Sequence, residues 1–389
     1  MTAMRICGII AEYDPLHCGH AWHLSEARRR TGADYVVCVM SGSFTQRGMP
    51  ALLSPHTRAE MALRAGADLV LQLPVSFSLC DAERFALGGV EILRQLGAEA
   101  LCFGAEMEGI PVMEAAAALL ESPDAAYQGR LHALLDAGMA FPAAQGLALA
   151  ESLHIDPSIL AQPNTALGIC YLRAIRRLSA PMTPFAVPRS GSYHAETLVT
   201  DTLPSATAVR CACLRQEWDK VRASMPEAAF RLLDADFKAG KVHAPEALTQ
   251  LLRWKLRQTA DYSRLPGLSE GIENRLPLAA DALTREDMVL AVKSKRYSYA
   301  RVNRLLAHVL LDTDAGRLEP LPRHARVFGF KKGASGLLKR CGDDFSFISQ
   351  MPAHPSIYEM ALDARADDLW NLGANQPFGA IYRQKPVIL

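Results

Sequence analysis

Short apolar runs alternate with amphipathic ones along the first hundred residues, and this alternation predicts the elements. Residues 5–13 read as a strand and 21–30 as the helix after it, closed by Gly32. Residues 34–40 form a second apolar run. Ser54-Pro55 supplies an N-cap and a first-turn proline for a helix that ends at Gly66. Residues 68–73 are a third strand, stopped by Pro74. Residues 81–96 are a helix with Gly97 beyond its end, and 100–104 a short fourth strand. Near-continuous apolar strands separated by helices predict an α/β fold whose parallel sheet is covered on both faces. Ligands of such sheets bind at the carboxyl ends of the strands.

From 110 to about 178 the pattern is helical, broken at Pro123, Pro142 and Pro157. Residues 183–187 return to strand, and a loop over 188–194 follows. Ser205 opens a helix, and most of the chain from there to Asp314 reads as helical. The change of character places a boundary near 200. The expectation is an α/β domain over 1–200 and a mainly helical domain over 201–389.

Half of the 389 residues are hydrophobic and 21% are charged, the profile of a packed globular protein. Lys and Arg number 42 against 41 Asp and Glu, so no global basic field announces a nucleic acid, and no DNA partner is expected. Local clusters must carry any RNA contact. The nine cysteines are odd in number and form no CxxC pair, which argues against a disulfide framework and a zinc site. No apolar run of eighteen residues and no signal-like opening occurs, so the expectation is a reduced, cytoplasmic protein with no membrane partner.

Chemistry concentrates at His17-Cys18-Gly19-His20, where the first strand turns into the first helix. Gly19 lets the backbone approach a phosphate, and the helix brings open N–H groups and the positive end of its dipole. Both imidazoles can donate to phosphate oxygens and, if protonated, stabilise charge at an attacked α-phosphorus. The structural alternative is a four-residue turn that matches HxGH by chance. The polar, glycine-rich loop 41–48, with Ser43, Gln46 and Arg47, sits at the same sheet edge and suits an acceptor or phosphate; otherwise it is a surface loop using glycine to turn. Asn164 is either a ligand or the N-cap of the helix that follows it. Arg189 is either a phosphate ligand or a surface charge. Lys293, Lys295, Arg296, Arg301 and Arg304, interleaved with Tyr297 and Tyr299, have the composition of an RNA-binding surface, or of a solvated helix face.

The strand–HxGH–helix opening resembles the HUP-type α/β nucleotidyltransferases. Longer blocks are more specific: 8–20, 40–48, Phe103-Gly104-Ala105-Glu106, Gln162-Pro163-Asn164, 189–194, 205–210, 270–274 and Lys295-Arg296-Tyr297. In their order along nearly the whole chain they are similar to the bacterial tRNA(Met) cytidine acetate ligase family. The resemblance implies a Rossmann-like nucleotidyltransferase domain that activates acetate with ATP as acetyl-adenylate. The acetyl group would then pass to the exocyclic amine of the wobble cytidine in elongator tRNA(Met), with Mg2+ on the triphosphate.

By the same resemblance His17 and His20 are catalytic. ATP would be held by Ile10, Ala11, Glu12, Tyr13, Asp14, Pro15 and Leu16, then by His17, Cys18, Gly19, His20, Ala21, Trp22 and His23, and by Gly104, Asn164 and Arg189. The chain has Asp14 where that family usually has Asn, and Leu16 where Phe is common. Two other readings stand beside this one: a small-molecule adenylyltransferase, and a non-catalytic RNA-binding nucleotide sensor.

Overall fold

The computed structural model describes residues 4–106, 109–139, 141–160, 162–188, 204–294, 297–342 and 344–389. Its frame is a sheet of β1 (Ile6–Ala11), β2 (Tyr35–Ser41), β3 (Leu69–Leu73), β4 (Ala100–Ala105), β5 (Thr183–Pro188), β6 (His324–Phe330), β7 (Ser346–Ile348) and β8 (Val387–Ile388). The spatial order is β5-β4-β1-β2-β3-β6-β7, with β8 beside β6. The first five strands are mutually parallel, whereas β6 runs antiparallel to β3 with an irregularity between Val70 and Leu71.

Period-two alternation sorts the strand side chains onto two faces. Ile6, Val37, Val39, Leu69 and Leu71 pack into one core, together with Val90 and Leu93 of the Ala82–Leu96 helix. Cys7, Ile9, Cys38, Met40 and Val70 pack into the other, with Leu24 and Ala27 of the Cys18–Thr31 helix and Met61 and Leu63 of the Pro55–Arg64 helix. Each fully buried aliphatic side chain contributes about 2 kcal/mol relative to exposure. The Ala82–Leu96 helix lies so close to β1 that a Cβ on Gly89 would stand 2.5 Å from Ile10.

The first four expected strands and the one at 183–187 are present, with the helices between them. β6, β7 and β8 correct the expectation for the later residues, since a stretch read as mainly helical returns three strands to the sheet. Arg326 and His324 interrupt the apolar run of β6, yet both are buried, the Arg326 guanidinium lying 5.0 Å from the Phe328 ring centroid. The expected boundary at 200 lies outside the described residues. Helices from 249 to 311 do form a core of their own, which also takes in Phe44 from the loop after β2 and Val75 from the short helix after β3.

The chain runs from β1 to β2 and β3 on one side, then crosses back to β4 and β5 on the other. The crevice outside the carboxyl ends of β1 and β4 is therefore a topological switch point. Among the described residues no helix is long and apolar enough to cross a membrane.

Candidate active site

The Cys18–Thr31 helix starts three residues earlier than its periodicity suggests, because His17 caps it. The Gly19 N–H donates to His17 Nδ1 at 3.1 Å, and the His17 N–H donates to His20 Nδ1 at 3.3 Å. This is a capping box with imidazoles in the places usually held by Ser and Glu. The two rings stack, with centroids 3.7 Å apart and planes at 24°.

Two expectations change. Because both Nδ1 atoms accept backbone N–H groups, the ring proton of each histidine sits on Nε2, and the geometry is that of neutral rings; an imidazolium would set a second donor against each N–H. The first helical amides are also not open. Cys18 N–H donates to Ser224 C=O at 2.9 Å, Gly19 N–H is taken by His17, and the N–H groups of His20 and Ala21 donate to His17 C=O. An anion here meets the helix dipole and imidazole N–H groups rather than unpaired amides.

A cavity of about 450 Å³ opens at the switch point. Of the expected nucleotide residues, Ile10 to Asp14, His17, Gly19, His20, Trp22, His23, Gly104 and Asn164 line it, as do Gln46 and Arg47 of the glycine-rich loop. Pro15, Leu16, Cys18 and Ala21 are not among the lining residues; Leu16 is instead fully buried in the core below. Ser43 is not among the lining residues either, and its hydroxyl donates to buried Asp367 Oδ1 at 2.9 Å. Arg189 lies outside the described residues.

The starts of three helices converge on the cavity. Gly19 and His20 come from the first helix, and Asn164 from the first turn of the Pro163–Arg177 helix. Ser205, Ala206 and Thr207 come from the Ala206–Leu214 helix, where Ser205 Oγ caps the Ala208 N–H at 3.0 Å. Each helix start carries roughly half a positive charge; Glu106 covers that of the second, so the first and third, with Arg47 and Arg210, face an anion. Thr207, Arg210 and His243 are cavity residues that sequence reasoning missed. The cap at Ser205 was legible as a helix start, but nothing local says which way that start faces.

Asn164 is not the N-cap, a place held by Gln162. Its N–H and Nδ2 donate to Glu106 Oε1 at 3.3 and 2.6 Å, while Thr165 donates its N–H and hydroxyl to Oε2 at 2.8 and 3.0 Å. Glu106 thus caps this helix from the end of β4. Burial pushes the Glu106 carboxyl up, but the hydrogen bonds from Asn164 and Thr165 outweigh it and hold it below its usual value. With Nδ2 committed to Glu106, Asn164 presents Oδ1 as its acceptor.

The remaining carboxylates of the wall are engaged. Glu12 accepts the Gln46 N–H at 2.6 Å, and its burial pushes its pKa up. Asp14 Oδ1 accepts the Leu52 N–H at 2.7 Å, and Oδ2 pairs with Arg210 Nη1 at 3.3 Å. Fully buried Arg58 donates to the carbonyls of Glu12, Gly42 and Leu53, tying the loop after β1 to the loop after β2.

The basic run is less uniform than its composition. Lys293 Nζ lies 4.9 Å from the centroid of exposed Tyr299. Arg301 pairs with Glu270 at 3.3 Å. Tyr297 is buried with its hydroxyl donating to Glu270 C=O at 2.5 Å, so it is not a platform for a base. Arg304 donates to Gln46 C=O at 3.2 Å, on the cavity side. Lys295 and Arg296 lie outside the described residues.

Fold and site together define a nucleotidyltransferase, and residues 4–384 match the family model described as HIGH Nucleotidyl Transferase. The tRNA(Met) cytidine acetate ligase of Acetivibrio thermocellus is 36% identical, over 87% of this chain and 85% of that protein. The enzyme of the same name from Clostridium perfringens is 31% identical, over 99% and 100%. The crystal structure of apo Thermotoga maritima TmcAL superposes with a TM-score of 0.91 at 27% identity, over 99% of this chain and all of that one. The form bound with alpha-thio ATP gives 0.87 at 26%, with the same coverage. The chain belongs to the tRNA(Met) cytidine acetate ligase family.

Proposed function

We propose that this chain is an ATP-dependent ligase that makes acetyl-adenylate in the switch-point cavity and transfers acetyl to the wobble cytidine of elongator tRNA(Met). The observation that carries the reading is the convergence of three helix starts and the paired imidazoles on one cavity. The family membership favours it over a metabolite adenylyltransferase or a sensor.

Acetate is already an anion, so its attack on the α-phosphorus needs no general base. One acetate oxygen bonds to phosphorus, and the bond to the bridging oxygen of pyrophosphate breaks. The enzyme supplies in-line placement and charge stabilisation. His17 and His20 donate through Nε2, Arg47 and Arg210 add charge, and Asn164 Oδ1 accepts from a nucleoside donor. Mg2+ would enter with the substrate as MgATP. In the second step the cytidine amine bonds to the acetyl carbon, the bond from that carbon to the bridging oxygen breaks so that AMP leaves with that oxygen, and the amine releases a proton. The cytidine must leave its stack to reach the anhydride, and Lys293 and Arg301 with exposed Tyr299 offer the anticodon arm a surface. A tRNA substrate supports a cytoplasmic location.

Purified protein incubated with ATP, labelled acetate and total bacterial tRNA tests the reading. The expected result is acetate-dependent ATP–pyrophosphate exchange and label in 4-acetylcytidine of tRNA(Met). Exchange that ignores acetate, or tRNA that stays unlabelled, overturns it.

A further inference from the structure

The turn 45–49, which carries Gln46 and Arg47 to the cavity wall, is pinned at each level. Thr45 N–H donates to Met49 C=O and Gly48 N–H to Thr45 C=O, both at 2.9 Å, and Phe44 bridges Pro50. Gln46 is held through both of the peptide groups that flank it. Its N–H goes to Glu12 Oε1 at 2.6 Å, and its C=O receives Arg304 Nη1 at 3.2 Å. The turn also lies directly on the backbone of the helix that bears Arg304. Gly48 has φ +84, and a Cβ there would stand 2.3 Å from Arg304 N and 2.4 Å from Asn303 C. Only glycine permits both that conformation and that approach.

Arg304 sits one turn beyond Arg301 on the Tyr299–Leu311 helix, yet the two face different partners. Arg301 reaches Ser269 and Glu270, whereas Arg304 reaches the cavity loop, and its burial pushes its pKa down. Arg304 therefore faces the cavity loop rather than the Ser269–Glu270 segment that holds Arg301.

We propose that Arg304 is a positioning residue: it holds the carbonyl of the Gln46–Arg47 peptide while Glu12 holds the preceding N–H, and so sets Arg47 on the cavity wall for acetate activation. The inference rests on the reading of this cavity as the site of that activation. It also withdraws Arg304 from the RNA-binding run, and makes the helix behind that run part of the support of the active site.

A double-mutant cycle on ATP–pyrophosphate exchange without tRNA tests it, with wild-type acetate dependence as the control for the reading of the cavity. Arg304→Met keeps the packing volume and removes the donor; a misplaced cation at the wall should lower exchange about tenfold or more. Arg304→Lys, which restores a donor, should recover part of that loss. Arg304→Met combined with Arg47→Ala should fall no further than Arg47→Ala alone, because the clamp acts through Arg47. tRNA affinity and its salt dependence should stay as in wild type. Multiplicative losses in the double mutant would overturn the route through Arg47. Wild-type exchange in Arg304→Met with weakened tRNA binding would return Arg304 to the RNA surface. Should Arg304→Met fold poorly, comparing kcat and KM for acetate in Arg304→Lys decides: loss of tRNA affinity alone refutes the clamp, and a fall in exchange kcat supports it.

Discussion

His17 holds two posts that a pair of substitutions can separate. Its Nδ1 caps the Cys18–Thr31 helix through the Gly19 N–H, and its ring, stacked at 3.7 Å on His20, lines the cavity. Alanine removes both functions, so its effect on rate is contaminated by the cap, which is worth about 1 kcal/mol. Asparagine is a strong N-cap and keeps an acceptor for the amide, while it deletes the Nε2 donor. Glutamine at 20 likewise keeps the reciprocal bond to the residue 17 N–H, since Gln is an ordinary third-position partner in a capping box. Loss of one donor to developing negative charge costs about 3 kcal/mol, or about a hundredfold in rate. His17→Asn and His20→Gln should therefore each lower acetate-dependent ATP–pyrophosphate exchange by about two orders of magnitude, with thermal unfolding close to wild type. His17→Ala should lose a similar rate and also melt earlier. Near-wild-type exchange in His17→Asn would show that capping is all the ring does, and the catalytic assignment would be refuted.

Asp14→Asn keeps an acceptor for the Leu52 N–H and removes the charge facing Arg210, so the arginine is released toward phosphate. For this partly exposed pair the gain is about 1 kcal/mol, a roughly fivefold lower KM for MgATP; an unchanged KM would mean that Arg210 does not meet the nucleotide. Replacing Lys293 and Arg301 with Gln should spare exchange and lower the slope of log tRNA affinity against log salt by roughly 0.7–0.9 per contact, whereas an unaltered slope removes both from the RNA surface. Burial pushes His56 and His308 down to about 3 and His243 to about 4, so all three are neutral in the fold. The unfolded chain takes up protons first, near pH 6.5, so their stabilisation is present above that value and is lost as pH falls toward 4. The loss is about 2 kcal/mol per ring by pH 5. Denaturant unfolding at pH 7 and 5 should show it, and His308→Gln should flatten the dependence by one ring's share; equal pH dependence in both proteins would refute the linkage.

What could be read from the chain in advance was whatever is specified within a few residues. Strands β1 to β5 stand out because their apolar runs are short, continuous and bounded by caps, and the HxGH loop stands out because its cap and its chemistry are the same residues. β6 was missed for the opposite reason. His324 and Arg326 break its hydrophobic run, and what buries them is packing by residues far along the chain, Asp363 against His324 among them. Ser205 was legible as a cap, while the place of Thr207 and Arg210 in the cavity depends on the contact of Arg210 with Asp14, 196 residues away. The same limit explains the basic run. Arg301 and Arg304 are the same residue type three positions apart, yet the partner of Arg301 lies 31 residues off and that of Arg304 lies 258 off, in the cavity loop. Charge density names a helix that carries cations. Only the fold decides that Arg301 pairs with Glu270 while Arg304 reaches the Gln46 carbonyl.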